Sequence, residues 1–344
     1  MNVNCPLPRP GHDTLLLGHG AGGRLTGELL DDLVLPALGI PPDGVLEDAA
    51  LLPGDGELAL TTDSFVVSPL FFPGGDIGSL AVHGTVNDLA MRGALPIALA
   101  LAVIAEEGLP LAELRQVLQS AGKAAREAGV PVLTGDTKVV GRGAADRLFL
   151  TTTGIGRRIP SLTPSAARAR PGDAILLSGP IGLHGTTVLS TREGLGFAAD
   201  IASDTRPLHR LVARLAPLGP ALHTLRDPTR GGLAAALNEI ARDARIGAGI
   251  DETSLPVPSV VAAACDLLGL DPLTVANEGC MVAFVDPAHA DAALDALRSL
   301  PEGADATRIG EAVADAPGRV VLRTSVGARR IVDLPLGEQL PRIC

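Results

Sequence analysis

At 344 residues the chain is long enough for about two domains with real interiors, and it needs no disulfide or metal staples to fold. Hydrophobic residues make up 46% and charged ones 19%, with a formal net charge of -11, no Trp, no Tyr and six Phe, which removes both the basic footprint and the stacking surfaces of a nucleic-acid binder. The opening MNVNCPLPRP lacks the basic and apolar regions of a signal peptide, and the apolar run Ala94–Ala105 is too short to cross a bilayer and holds Pro96. A soluble cytoplasmic protein with no membrane partner is expected.

Apolar, β-branched runs alternate along the chain with segments of helical periodicity. In order, they predict a strand at 58–62, a helix at 78–91, a strand at 97–104, a helix at 111–128 and strands at 131–134 and 148–155. A polar Arg/Pro/Ser stretch from Arg157 to Asp173 reads as the connection between two α/β halves, with the boundary near residue 160. Beyond it come a strand at 173–178, helices at 205–216, 231–244 and 258–268, a strand at 281–285, a helix at 287–299 and a strand at 319–323. The expected division is therefore 1–160, 161–333 and a tail 334–344, LPLGEQLPRIC, whose two prolines and lack of helical pattern predict an extended, mobile segment.

Acidic residues recur at strand ends or in Gly-rich turns: Asp48 in LEDAA, Asp63 in LTTDSF, Asp88 in TVNDLA, Asp136 in LTGDTK and Asp227 in LRDPTRGG. Each alone could end a strand or cap a helix. Together they suit a hard cation, since rigid elements can aim carboxylate oxygens at one point and Mg²⁺ takes a few of them plus phosphate oxygens. The glycine-rich GHGAGGR, with Gly20, Gly22, Gly23 and Arg24, could wrap an anion, although it is neither a P-loop nor a dinucleotide fingerprint. Gly231-Gly232 opens a predicted helix, where free N–H groups favour phosphate. Only Lys123 and Lys138 are Lys among 28 basic residues, and Lys138 in a Gly/Asp turn suggests a position that requires a compact ammonium. Glu278, between Asn277 and Gly279, fits either a turn or a general base.

The four cysteines, Cys5, Cys265, Cys280 and Cys344, show no metal or disulfide spacing. Cys265 and Cys280 sit in apolar patterns and read as core residues. Cys344 lies on the predicted mobile tail, where a thiol suits the carrying of a group.

TTDSFVVSPLFFPGG, GTVNDLA, TGDTKVV, RDPTRGG, ANEG and the final PRIC closely resemble the HypE family of hydrogenase expression/formation proteins. That family belongs to the ATP-binding superfamily of aminoimidazole ribonucleotide synthetase and selenophosphate synthetase. The resemblance runs from Gly18 to Cys344. It implies an α/β (α+β) two-domain fold whose N-terminal domain pairs into a dimeric β-barrel, followed by a C-terminal α/β domain and a flexible tail. It also implies ATP and Mg²⁺ between the halves. Asp48, Asp63, Asp88 and Asp227 then match the metal and phosphate carboxylates. The glycine-rich segment, Asp63, Asn87, Asp136 and Gly231 would lie at the nucleotide.

The implied activity is ATP-dependent dehydration of an S-carbamoyl group on Cys344 to a thiocyanate, with Lys138 stabilising charge and Glu278 abstracting protons. The carbamoyl group would come from HypF, and the cyanide would pass to a HypC–HypD complex for nickel–iron hydrogenase maturation. The alternatives are a superfamily enzyme acting on a free small molecule and a non-catalytic scaffold carrying the group. One departure stands out: Glu47-Asp48 replaces the pair of Asp residues the superfamily often has, which makes Asp48 the expected ligand.

Overall fold

A computed structural model describes residues 23–34, 47–52, 56–194, 201–334, 340 and 342–344. The first half contains helix α1 (Arg24–Leu29), strands β1 (Ala50–Leu52) and β2 (Leu58–Phe65), and a hairpin of β3 (Phe71–Phe72) and β4 (Gly75–Asp76). These lead into α2 (Ile77–Met91), β5 (Ala94–Glu106), α3 (Leu111–Ala128), β6 (Val132–Val140) and β7 (Leu148–Arg158). The large sheet runs β1-β2-β7-β5-β6 and is open within one chain. Its β5 and β6 are parallel, joined over the top by α3, and its other pairings are antiparallel.

Helix α2 starts because Asp76 and Ser79 form a reciprocal capping box, the Asp76 carboxylate accepting from Gly78 N–H at 2.7 Å and Ser79 Oγ accepting from Asp76 N–H at 3.0 Å. Almost every α2 residue is buried, so its apolar face runs all round, as a central helix requires. Helix α3 is amphipathic and ends at Gly129, whose φ of 69° suits glycine.

The second half contains β8 (Ala174–Leu177), α4 (Leu183–Glu193), α5 (His209–Leu215), β9 (Leu222–Arg226), α6 (Gly232–Ala244), β10 (Gly247–Asp251) and α7 (Ser259–Leu268). It closes with β11 (Val282–Val285), α8 (Ala290–Arg298), β12 (Thr307–Val313), β13 (Arg319–Arg323) and β14 (Arg329–Val332). Its sheet runs β14-β13-β10-β12-β8-β11-β9. Leu233, Leu237 and Ile240 of α6 pack on one face against Ile175, Phe284 and Ile309. Leu211 and Leu215 of α5, with Ala293 and Leu297 of α8, cover the other against Leu176, Leu222 and Ala283.

The Asn87 side chain bolts the halves together. Its Nδ2 donates to the carbonyls of Arg206 (3.1 Å) and Glu278 (3.4 Å), and its Oδ1 accepts from Leu208 N–H (2.7 Å).

One expectation is corrected. The TGDTK segment is extended strand, not a turn, because β6 continues in register with β5 from Thr134 to Val140. The tail's last residues are docked in this structure: Val66 N–H donates to a main-chain oxygen of Cys344 (3.0 Å), Ser68 N–H donates to the Arg342 carbonyl (3.2 Å), and Ile343 is buried. Ile343 packs into the same core as Phe65 and Leu80, and that apolar burial offsets the entropy of ordering the segment.

Candidate active site

A cavity of about 280 Å³ opens between the halves, lined by Asp48, Thr61, Asp63, Gly84, Asp88, Arg226, Asp227, Arg230, Glu278 and Cys344 among others. Each acidic residue arrives on a different element. Asp63 is carried by β2, Asp88 by α2, and Asp227 directly follows β9; Asp48 sits just before β1. Gly84, one turn before Asp88, lets β2 and α2 approach, since a Cβ there would meet Phe65 Cζ at 2.9 Å. Past Asp227, Gly231 caps α6 with φ 77° and Gly232 has φ 64°, a left-handed pair that turns the chain into the helix whose N-terminus faces the cavity.

Oxygens of Asp48, Asp88 and Asp227 lie within 4.8 Å of one another. Thr61 Oγ1 donates to Asp88 Oδ2 (2.7 Å), Arg226 Nε lies 3.4 Å from Asp48 Oδ1, and Asp48 Oδ2 is buried with no hydrogen-bond partner. Three carboxylates with an orphaned oxygen fit a divalent cation, whose hard-oxygen preference they match. Electrostatics agree. Burial, then repulsion from Asp227, Asp63 and Asp48, pushes the Asp88 carboxyl well above its usual range, and burial with the Asp48 charge raises Asp227 to about 7. Such a crowd of charges is costly until a cation neutralises it.

Glu278 is 3% exposed, with Oε1 unpartnered. Burial, followed by the charges of Asp227, Asp204 and Asp63, holds its carboxyl well above normal. Its loop is fixed by Asp204, whose carboxylate accepts from the N–H groups of Glu278 (3.1 Å) and Gly279 (2.9 Å). Arg230 stands exposed at the mouth, kept protonated above all by the charge at Cys344.

The structure thus brings Asp48, Asp63, Asp88, Asp227, Glu278 and Cys344 to one cavity. Glu47 points elsewhere, to Arg92 Nη1 at 3.1 Å and to Ser165, which explains why only the second residue of the Glu47-Asp48 pair serves the site. Other expected residues lie apart. Asn87 is spent on main-chain groups. Gly23 is buried as the cap of α1 and Arg24 is exposed, neither lining the cavity; Gly20 and Gly22 lie outside the described residues, as does Cys5. Asp136 and Lys138 are exposed on β6 and pair with each other at 2.9 Å. Gly135 is in register with Leu101, and Leu101 with buried Thr152, so strand alternation puts Asp136 and Lys138 on the sheet face away from α2. Lys138 therefore does not meet Cys344 within one chain. Cys265 and Cys280 are buried in the core as expected. Thr61, Arg226, Arg230 and Glu239 were not singled out from sequence, although Arg226 and Arg230 flank Asp227 in RDPTRGG.

Residues 46–158 match the N-terminal domain model of AIR synthase related proteins, and residues 170–323 match its C-terminal domain model. The chain is 54% identical over 328 residues to the carbamoyl dehydratase HypE of Azotobacter vinelandii, covering 95% of this chain and 96% of that one. A solved HypE structure in complex with ATP superposes with a TM-score of 0.82 at 51% identity, covering 96% of this chain and all of that one. HypE from a HypE–HypF complex does so with a TM-score of 0.85 at 47% identity, covering 89% of this chain and 99% of that one. With both halves matched by family models and full-length relatives above half identity, the chain belongs to the HypE carbamoyl dehydratase family.

Proposed function

We infer that the protein dehydrates an S-carbamoyl group on its own Cys344 to a thiocyanate, using ATP, as a step in hydrogenase maturation. The observation that carries this reading is the seating of Cys344 in the same cavity as the acidic cluster and Glu278. Family membership and the ATP complex of a relative support it.

The chemistry follows from what has to leave. A thiocarbamate oxygen cannot depart as oxide, so it attacks the γ-phosphorus of ATP, releasing ADP and giving an O-phosphorylated imidate as one N–H proton is lost. The C–O bond then breaks, the second N–H proton leaves, and the S–C≡N group forms with free phosphate. Mg²⁺, held by Asp48, Asp88 and Asp227, would supply charge neutralisation for phosphoryl transfer. Thr61 fixes Asp88 through its hydroxyl, and Arg226 sets Asp48 while keeping its own charge. Glu278 is the proton acceptor: burial above all, with the charge of Asp227 next, holds its carboxyl up, so a cation that neutralises Asp227 eases one of the forces raising it and brings it closer to acting as a base. Arg230 faces the negative charge that builds on the imidate phosphate.

The protein acts as a homodimer. On the edge strand β6, Leu133 and Val139 are about 70% exposed (71% and 70%), and Leu95, Ile97 and Ile155 on the neighbouring strands are also exposed. Such an open, apolar edge is a pairing surface, and pairing of two such sheets would make the expected barrel. Lys138 then serves as a phosphoryl-site cation across that interface, with Asp136 beside it. HypF is the donor of the carbamoyl group, as the complex of a relative suggests, HypC–HypD the acceptor of cyanide, and the cytoplasm the setting. Among the described residues no helix is long and apolar enough to cross a membrane.

The test is intact-mass measurement of S-carbamoylated protein after addition of ATP and Mg²⁺. Loss of one water at Cys344 with release of ADP and phosphate is expected, and Cys344→Ala should carry neither group. ATP turnover with the carbamoyl mass unchanged would falsify the reading.

A further inference from the structure

Cys344 reaches the cavity because the two residues before it are gripped by their main chain. The Ile343 carbonyl lies 2.7 Å from His184 Nε2, and the Arg342 carbonyl accepts from Arg192 Nη2 at 2.8 Å. Both side chains belong to α4, eight residues apart, hence on one face. Neither lines the cavity, and the dehydration chemistry uses neither.

The tautomer of His184 follows from its partners. A carbonyl can only accept, so Nε2 carries the proton; Nδ1 then accepts from the Ser203 hydroxyl at 2.8 Å, whose oxygen accepts Thr205 N–H at 3.1 Å. The ring is fully buried, with Phe72 in an edge contact at 5.4 Å, and burial favours the neutral form that this arrangement needs. Arg192 also donates from Nε (2.8 Å) and Nη2 (2.6 Å) to the Ser68 carbonyl, tying the tail to the segment that continues β2. Arg342 returns the contact, its Nε donating to the Val66 carbonyl at 2.9 Å. These side-chain contacts to the tail backbone add to the main-chain bonds from Val66 and Ser68, and Asp63 lies only three residues before Val66 on the same strand and its extension.

We propose that His184 and Arg192 are positioning residues, forming a two-point clamp on the main-chain carbonyls of Ile343 and Arg342 that seats Cys344 for dehydration and opens to expose the thiol for loading. The clamp rests on the proposed dehydration of Cys344, because it is that reaction it would serve. Holding the reacting group in place converts a mobile encounter into a unimolecular step, so loosening it should lower the chemical rate without weakening nucleotide binding.

The test uses the full chain with cyanate as the probe. Isocyanic acid adds to the thiol, sulfur bonding to carbon and the thiol proton passing to nitrogen, so S-carbamoylation at Cys344 reports how often the tail is released. Relative to the unaltered protein, His184→Phe and Arg192→Met should label Cys344 roughly tenfold faster and, once carbamoylated, dehydrate roughly tenfold more slowly with the KM for ATP unchanged. His184→Gln and Arg192→Lys, which keep a donor, should recover part of both effects. If His184→Phe does not fold, Arg192→Met at its half-buried position carries the test. Folded variants that label and dehydrate at the unaltered rates overturn the clamp, as does a change in the KM for ATP in place of the rate. The labelling arm reads the clamp independently of catalysis: faster labelling in the variants, with no dehydration even in the unaltered protein, upholds the clamp and removes the proposed function instead.

Discussion

Glu278 occupies a setting in which neutral Gln would sit more comfortably than a carboxylate, being buried with one oxygen unpartnered and three acids for neighbours. Retaining an ionisable group there is costly, which is the signature of a functional position. Glu278→Gln should therefore fold at least as stably, bind ATP within a few-fold of the unaltered affinity, and dehydrate about a hundredfold or more slowly. Single-turnover mass loss set beside an ATP titration checks it, and equal losses in binding and rate would make the residue structural. At this scale Asp63 and Asp227 were legible because they lie on or just after a strand, a position that aims a side chain, whereas Asp88 comes from helix α2 and Asp48 from just before β1. Lys138 was not. Its rarity in an Arg-rich chain carries no information about location, and only the β6 register reveals that it faces away from the cavity.

Between elements, helices α2 and α3 meet closely at Gly78. A Cβ there would lie 2.2 Å from the Val117 carbonyl oxygen, a backbone atom that cannot swing aside. Gly78→Ala should cost about 1–3 kcal/mol through forced separation of the two helices, read as a lower urea midpoint with an unchanged slope. The same pair shows what periodicity reveals. Helix α3 was legible to the residue, as its polar and apolar faces separate cleanly and Gly129 stops it. Helix α4 was not, because LHGTTVLSTRE is rich in Gly, Thr and Ser and is buried on most sides, leaving no polar face to mark a period. Strand β10 escaped similarly, its GAGID too glycine-rich to register as a strand though it pairs on both edges.

For the whole molecule, acid is the exposed flank. His83 on α2 is 7% exposed and hydrogen-bonds Thr205 of the other half at 3.1 Å; burial, with the neighbouring His209, lowers its pKa to about 4. The unfolded chain takes up this proton near pH 6.5 whereas the folded one resists until about 4. Stability is therefore full above about 6.5 and falls as pH drops towards about 4, by about 3 kcal/mol from this residue. Urea unfolding across that range should show the decline, and His83→Gln should flatten it. The two-half architecture was legible from strand and helix alternation, whereas the docking of the tail was not: prolines argue against a helix but say nothing about an apolar residue such as Ile343 finding a distant core.

The Asn87 bolt has a consequence for how the molecule breathes. Helix α5 is only seven residues long, and by itself would fray within microseconds. Yet the Leu208 amide at its start is held by a carboxamide from the other half, so separating the halves would break three hydrogen bonds at once. Deuterium should then enter at Leu208 as slowly as in the central strands, only when the whole fold opens. Any separation of the two halves would therefore first have to break the Asn87 contacts, which makes them a gauge of how the molecule opens.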